Sequence, residues 1–213
     1  MSAAARPDVT SFPANVEIEY PDRELDRLST LLRPLFVAPI AILLTLVSGG
    51  RVYIGGAGVH TLQGGGGLFV AVALMLVFRH RYPRWWFDWN VGVTAFGLRV
   101  LAYAALLTDR YPSTEDLQGV RLTLPYPDAA RDLDRGLPLV KWLLAVPHYV
   151  ILGFLGLGAC VTVVVAWLAI LFTGRYPRPL FEFVVDVIRW GLRVSAYAFL
   201  LTTDRYPPFS LAA

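Results

Sequence analysis

Hydrophobic and polar positions follow a pattern that is written twice along the chain. Near the start, Val16, Ile18 and Tyr20 alternate with Glu17 and Glu19, the period of two expected of a half-buried strand. Val120, Leu122 and Leu124 alternate with Arg121 and Thr123 in the same way. Each predicted strand runs into a Pro-Asp turn, Tyr20-Pro21-Asp22 and Tyr126-Pro127-Asp128, and then into Leu25-Asp26-Arg27 or Leu133-Asp134-Arg135. Long apolar stretches follow. Pro34 to Gly50, a glycine-rich connection (Gly55, Gly56, Gly58 and Gly64 to Gly67) and Leu68 to Phe78 predict a transmembrane hairpin over about 34–79. Trp142 to Phe172 carries no charge; as one helix it would be about 46 Å long, beyond a hydrocarbon core of about 30 Å. A break at Gly153, Gly156 or Gly158 is therefore expected, giving a second hairpin over about 138–173.

The segments after the hairpins repeat almost residue for residue. Arg81-Tyr82-Pro83, Phe87-Asp88, Gly97-Leu98-Arg99-Val100, Ala102-Tyr103-Ala104, Leu106-Leu107-Thr108 and Asp109-Arg110-Tyr111-Pro112 form the first copy. Arg175-Tyr176-Pro177, Phe181-Glu182, Gly191-Leu192-Arg193-Val194, Ala196-Tyr197-Ala198, Leu200-Leu201-Thr202 and Asp204-Arg205-Tyr206-Pro207 form the second, with one extra threonine. Such spacing implies an internal duplication. Its boundaries are a tail over 1–14, a first repeat over 15–112, a linker over 113–118 and a second repeat over 119–213. Pairing of the two strands across a pseudo-twofold axis would cover two otherwise bare edges.

Each signature segment predicts a helix, about 84–108 and 178–202. In the second, Glu182, Asp186, Arg189 and Arg193 fall within about 60° of arc, one polar stripe on an apolar cylinder. The first keeps Asp88 and Arg99, with Gly92 and Ala95 between them. If both helices lie along the cytoplasmic surface, only Arg51 of nineteen basic residues falls in an external loop. If both cross the bilayer, the loop and tail cations divide evenly between the two sides. Loop charge sets orientation during insertion, so the interfacial placement is preferred. The expected architecture is an all-α integral membrane protein with four spanning helices in two hairpins, each followed by an amphipathic interfacial helix. Both termini are then cytoplasmic. Tyr82, Trp85, Trp86, Tyr111, Tyr176, Trp190 and Tyr206 are expected to mark the headgroup level.

Composition supports the compartment. The chain is 56% hydrophobic and 16% charged, below the roughly 25% of soluble domains. Met1 to Pro13 has no apolar h-region, so insertion is expected to rest on the internal segments. A net charge of +3, scattered along the chain, argues against a nucleic-acid partner. Cys160 is alone, which excludes an internal disulfide and a cysteine metal cluster.

The pattern of Arg-Tyr-Pro, Phe-acid-aromatic, Arg-Val-x-Ala-Tyr and a closing Asp-Arg-Tyr-Pro-Pro-Phe resembles a bacterial family of multi-pass membrane proteins, domain of unknown function 4389. The match is close over Arg175 to Phe209 and looser over Arg81 to Pro112. The resemblance implies a membrane location and a duplicated design, and brings no activity, cofactor or catalytic residue with it.

Candidate chemistry is sparse. There is no phosphate loop and no HExxH, and His60, His80 and His148 stand far apart. No cofactor, metal site or catalytic set is expected, and an enzyme is disfavoured. His148 follows Pro147 inside an apolar stretch, where an ionisable group is costly unless it reaches the interface. Pro39 and Pro147 occupy matching positions and predict kinks. The acid–arginine stripe reads either as surface pairs near lipid phosphates, or as a site where Arg99 and Arg193 each meet the acid of the other half. A membrane scaffold that binds lipids, membrane-protein partners or itself needs no further site. The alternative is a small transporter or channel with a pathway between the halves.

Overall fold

The computed structural model describes residues 12–47, 53–54, 57–58, 73–113 and 118–211. The tail up to residue 11, most of the glycine-rich connection with His60, and most of the linker lie outside the described residues. The chain is mostly helical. Its elements are β1 (Asn15–Ile18), α1 (Arg27–Val47), a two-residue pair β2 (Tyr53–Ile54) and β3 (Ala57–Gly58), α2 (73–79), α3 (Arg84–Ala104), β4 (Val120–Thr123), α4 (Ala129–Asp132), a 3-10 turn (Leu137–Leu139), α5 (Lys141–Leu144), α6 (Val146–Thr173) and α7 (Arg178–Ala198).

The alternating segments are strands, and they pair. β1 and β4 run antiparallel, with Asn15 opposite Thr123, Val16 opposite Leu122, Glu17 opposite Arg121 and Ile18 opposite Val120. Val16 lies four residues before Tyr20, and Leu122 four before Tyr126. Corresponding residues of the two repeated segments thus face each other, so a local twofold passes through this pair. Val16 and Ile18 enter the core while Glu17 stays exposed, as the period of two requires.

The expected second hairpin does not form. α6 is one unbroken helix of 28 residues, about 42 Å long. Gly153, Gly156 and Gly158 all continue the helix, because a break among purely apolar residues would strand backbone groups with nothing to pair them. The helix stops instead at Gly174, which takes φ 75° and donates its N–H to the carbonyl of Ile170. Nor do the prolines make matching kinks. Pro34 and Pro39 both lie inside α1, whereas Pro147 sits in the first turn of α6, where the missing N–H has no intrahelical acceptor to lose.

α3 and α7 each start after a proline, Pro83 and Pro177, and each ends four residues earlier than the periodicity suggests. Leu106 and Leu201 turn the chain out of the helix with φ 63° and 55°. These two leucines correspond, so the extra residue of the second copy is absorbed between Ala198 and Leu201 and not at the doubled threonine. The return bonds show it: Leu107 N–H reaches the carbonyl of Ala102, five residues back, whereas Thr202 N–H reaches Ala196, six back.

The main core joins Val16, Ile18 and Val120 of the sheet to Phe181, Val184, Val185 and Leu192 of α7 and to Ala166 and Ile170 of α6. α1 and α6 bury little else. Two helices among the described residues, Arg27–Thr45 and Val146–Thr173, are long and apolar enough to cross a membrane, with 17% and 11% of their most apolar windows buried. Phe154 and Phe172 on α6 are 75% and 80% exposed. Helices this apolar and this uncovered are unlike the core helices of soluble domains.

Candidate functional site

The acids that close the two signatures anchor them. In the first half Asp109 Oδ1 meets Arg33 Nη2 at 2.5 Å, and Asp109 Oδ2 accepts the N–H of Asp26 at 3.3 Å. Arg33 also donates to the carbonyls of Tyr103 and Thr108 and lies 4.1 Å over the Tyr103 ring. In the second half Asp204 Oδ1 meets Lys141 Nζ at 2.5 Å and Asp204 Oδ2 accepts the N–H of Asp134 at 2.5 Å. Lys141 donates to the carbonyl of Thr203 and sits 5.2 Å from the centre of the Tyr197 ring. Arg33 stands eight residues after Leu25 and Lys141 eight after Leu133, so the same pin is built twice. Burial pushes the Lys141 ammonium down from its ordinary value, while Asp204, with Asp134 behind it, pulls the other way.

Among the described residues, Arg99 and Arg193 meet no acid of the other half. Arg99 Nη1 donates to the carbonyl of Ser113 at 2.8 Å, and Arg193 Nη2 donates to the carbonyl of Ser210. Each holds the chain that follows its own signature. The guanidinium, on the sixteenth residue of the helix that follows the Arg-Tyr-Pro turn, lies close to where that chain returns, which is why a local carbonyl wins over a distant carboxylate.

The polar stripe of α7 faces the sheet. Arg189 donates Nε to the carbonyl of Val16 at 3.0 Å and Nη1 to Asp186 at 2.9 Å. Glu182, exposed, and Asp186, half-buried, line a cleft of about 520 Å3 against Glu19, Tyr20 and Asp22. Asp88, its counterpart on α3, is exposed. A larger cavity of about 1120 Å3 opens on the other side of Arg189, bounded by residues 12–15, Glu17, 122–127, Asp132 and 202–205 and by Arg193. Arg193 is 4% exposed, and its Nε has no hydrogen-bond partner. Burial pushes this guanidinium down from its ordinary value, Asp186 offsets part of that, and Arg189 adds to it.

Between α3 and α7 lies a groove of about 940 Å3 that is almost wholly apolar; only Thr94 and Ser195 bring hydroxyls. His148 lies elsewhere, fully buried, with Trp190 Nε1 donating to its Nδ1 at 3.1 Å and Phe209 stacked 4.0 Å away. It does not reach an interface, because the chain after Pro207 folds over it. Its Nε2 has no partner.

The expected aromatic girdle divides. Trp85, Tyr111 and Tyr206 are exposed, whereas Tyr82, Trp86, Tyr176 and Trp190 are packed inside. Polar handles explain part of this correction. Tyr82 OH donates to the carbonyl of Leu200 at 2.5 Å, and Tyr126 OH donates to that of Tyr82 at 2.6 Å. Tyr20 OH donates to the carbonyl of Tyr176 at 2.5 Å. Trp89 and Trp142, each about half exposed, present the outward indoles that the periodicity did not single out.

The residues missed at first are Arg33, Lys141, Asp109 and Asp204. The signal was available: Lys141 is the only lysine, at the same offset as Arg33, and the acid recurs in both signatures. Among the described residues no group of three or more His, Cys, Asp or Glu is placed to hold a metal ion. What the surface can do chemically is donate hydrogen bonds from guanidinium groups beside carboxylates.

Residues 138–210 match the family described as Domain of unknown function (DUF4389). The matched stretch holds α6, α7 and the whole second signature, so the resemblance read from those motifs is shown there. No curated protein and no solved structure matches the chain.

Proposed function

We propose that this chain is a tandemly duplicated, multi-pass protein of the cell membrane, with its N-terminus and central linker cytoplasmic. It acts as a scaffold that binds lipid or a membrane partner at the membrane interface, and not as an enzyme. The observation that carries the reading is the separation of two surfaces. α6 presents Val150, Phe154, Leu157, Val161 and Phe172 outward, a surface suited to hydrocarbon. α7 packs against α6 and turns Glu182, Asp186 and Arg189 toward the sheet, a surface suited to water and headgroups. A pathway between the halves would need polar lining in the groove between α3 and α7, and two hydroxyls supply very little.

Extraction and labelling test this. Membranes from expressing cells are washed with alkaline carbonate, and single cysteines at Ala57 and Ser113 in a Cys160→Ala background are probed in intact cells with an impermeant maleimide. Retention in the pellet with labelling at Ala57 alone is expected. Release by carbonate would overturn the membrane assignment, and labelling at Ser113 would overturn the cytoplasmic placement of the central linker.

A further inference from the structure

We propose that the cavity beside Arg193 binds a phosphate-bearing anion, with the Arg193 and Arg189 guanidinium groups as its principal donors. This deepens the interfacial lipid-binding reading yet stands without it, because a soluble phosphate compound would satisfy the same donors.

Among the described residues the positive charge at this site is left unbalanced. Asp186 pairs with Arg189, and Lys141 pairs with Asp204. Arg193 makes no ion pair among the described residues, although its surface is 4% exposed. A buried cation with no counterion is costly unless something supplies the missing charge. Its one hydrogen bond runs to the carbonyl of Ser210, through Nη2. Nε is a buried orphan, and Nη1 has no partner among the described residues. A guanidinium in this state keeps most of its fork for a planar or tetrahedral oxyanion.

The surroundings suit the same ligand. Arg189 lies one turn earlier on α7, at i, i−4, so the two guanidiniums share one helix face and line one wall of the cavity. Two like charges held together raise the cost of each, and an anion between them relieves both. Thr202 and Thr203, each at most 9% exposed, also line the cavity. The carboxylates at the rim are otherwise engaged or turned to solvent: Asp204 is held by Lys141, and Glu17 and Asp132 are exposed. At about 1120 Å3 the space exceeds a bare phosphate and accommodates a headgroup with its glycerol. The acid–arginine stripe would bring such a group to the level where the phosphates of a bilayer lie.

The test uses full-length protein purified in neutral detergent. Inorganic phosphate is titrated against chloride at matched ionic strength, read as the rise in Tm, for the wild type and for Arg193→Gln, Arg193→Lys, Arg189→Gln and the exposed control Arg131→Gln. In a second arm the same proteins, in nanodiscs of phosphatidylcholine with or without phosphatidylglycerol, are delipidated gently and their retained lipid is weighed by native mass spectrometry. A saturable rise with phosphate, weakened at least tenfold by Arg193→Gln, partly kept by Arg193→Lys and unchanged by Arg131→Gln, establishes a site for soluble phosphate compounds. No response to phosphate, with phosphatidylglycerol retained by the wild type and lost on Arg193→Gln, assigns the site to a lipid headgroup. If Arg193→Gln fails to fold, Arg189→Gln must show the same loss. Equal responses in the wild type and every folded arginine variant, or no response in either arm, overturn the proposal. A failure of topology labelling would leave the phosphate arm unaffected, so the two readings can fail separately.

Discussion

Replacing Lys141 with Met removes one charge from the pin that closes the second half. The side chains of Lys141 and Asp204 are 1% and 19% exposed, so this is a buried ion pair in all but one edge of the carboxylate. Breaking such a pair from one side costs about 3–5 kcal/mol, because the partner is left charged without its counterion. Asp204 keeps the N–H of Asp134 and some access to water, which places Lys141→Met near 3 kcal/mol. Asp204→Ala strands an ammonium with no access to water and falls near 5 kcal/mol. The double variant removes both charges, so its loss should be smaller than the sum of the singles by about 2 kcal/mol. At about 2–4 °C per kcal/mol for a chain of this size, Lys141→Met should lower Tm by roughly 6–12 °C. The assay is thermal unfolding followed by circular dichroism in neutral detergent. The exposed pair of Arg131 with Asp128, at 86% and 53% exposure, is the control, and Arg131→Gln should leave Tm within about 2 °C. Shifts that small for both Lys141→Met and Asp204→Ala, or single effects that simply add, would refute the reasoning.

Two further outcomes follow from the same contacts. Gly174→Ala forces a Cβ into φ 75°; the added atom meets Arg27 and Glu24 only at ordinary contact distance, so the cost is the backbone strain alone, about 1 kcal/mol, read as a modest drop in Tm. Burial raises the Tyr82 and Tyr176 hydroxyls above the ordinary phenol value, with Tyr126 adding to the rise at Tyr82. A raised acid binds its proton more tightly in the folded state, so its stabilisation is complete below about pH 10 and falls as pH climbs beyond. Stability should therefore decline above about pH 10, and Tyr176→Phe, which loses no hydrogen bond, should flatten that decline in an alkaline denaturation series.

Local pattern announced the strands and the signature helices well, because each rests on contacts within a few residues. The alternation at Val16 and Ile18 needs only one buried face, and the starts at Arg84 and Arg178 need only the preceding proline. The twofold pairing of the strands was legible for another reason: two copies of one edge are self-complementary. The continuous α6 was not legible, since glycine in an apolar run permits a turn without requiring one. The buried tyrosines were missed because an aromatic near a polar cluster has the same spacing whether it faces lipid or a carbonyl of the other half. The candidate site was half visible. Arg189 and Arg193 stood out as a stripe, but which groups Arg193 meets depends on where Ser210 and Asp186 come to rest, and no periodicity encodes that.

The cross-over of the halves also sets a timetable for synthesis. Tyr20 and the Tyr176 carbonyl it binds are 156 residues apart. At about 5–20 residues per second, roughly 8–30 s pass before the first tyrosine can find its partner. For about the first two-thirds of that interval, until β4 has been made, β1 waits at the ribosome without its strand partner. Four residues, one of them a charged Glu17, make a poor template for pairing with a neighbouring nascent chain. The brevity of this strand therefore matters as much to the unfinished protein as its register does to the finished one.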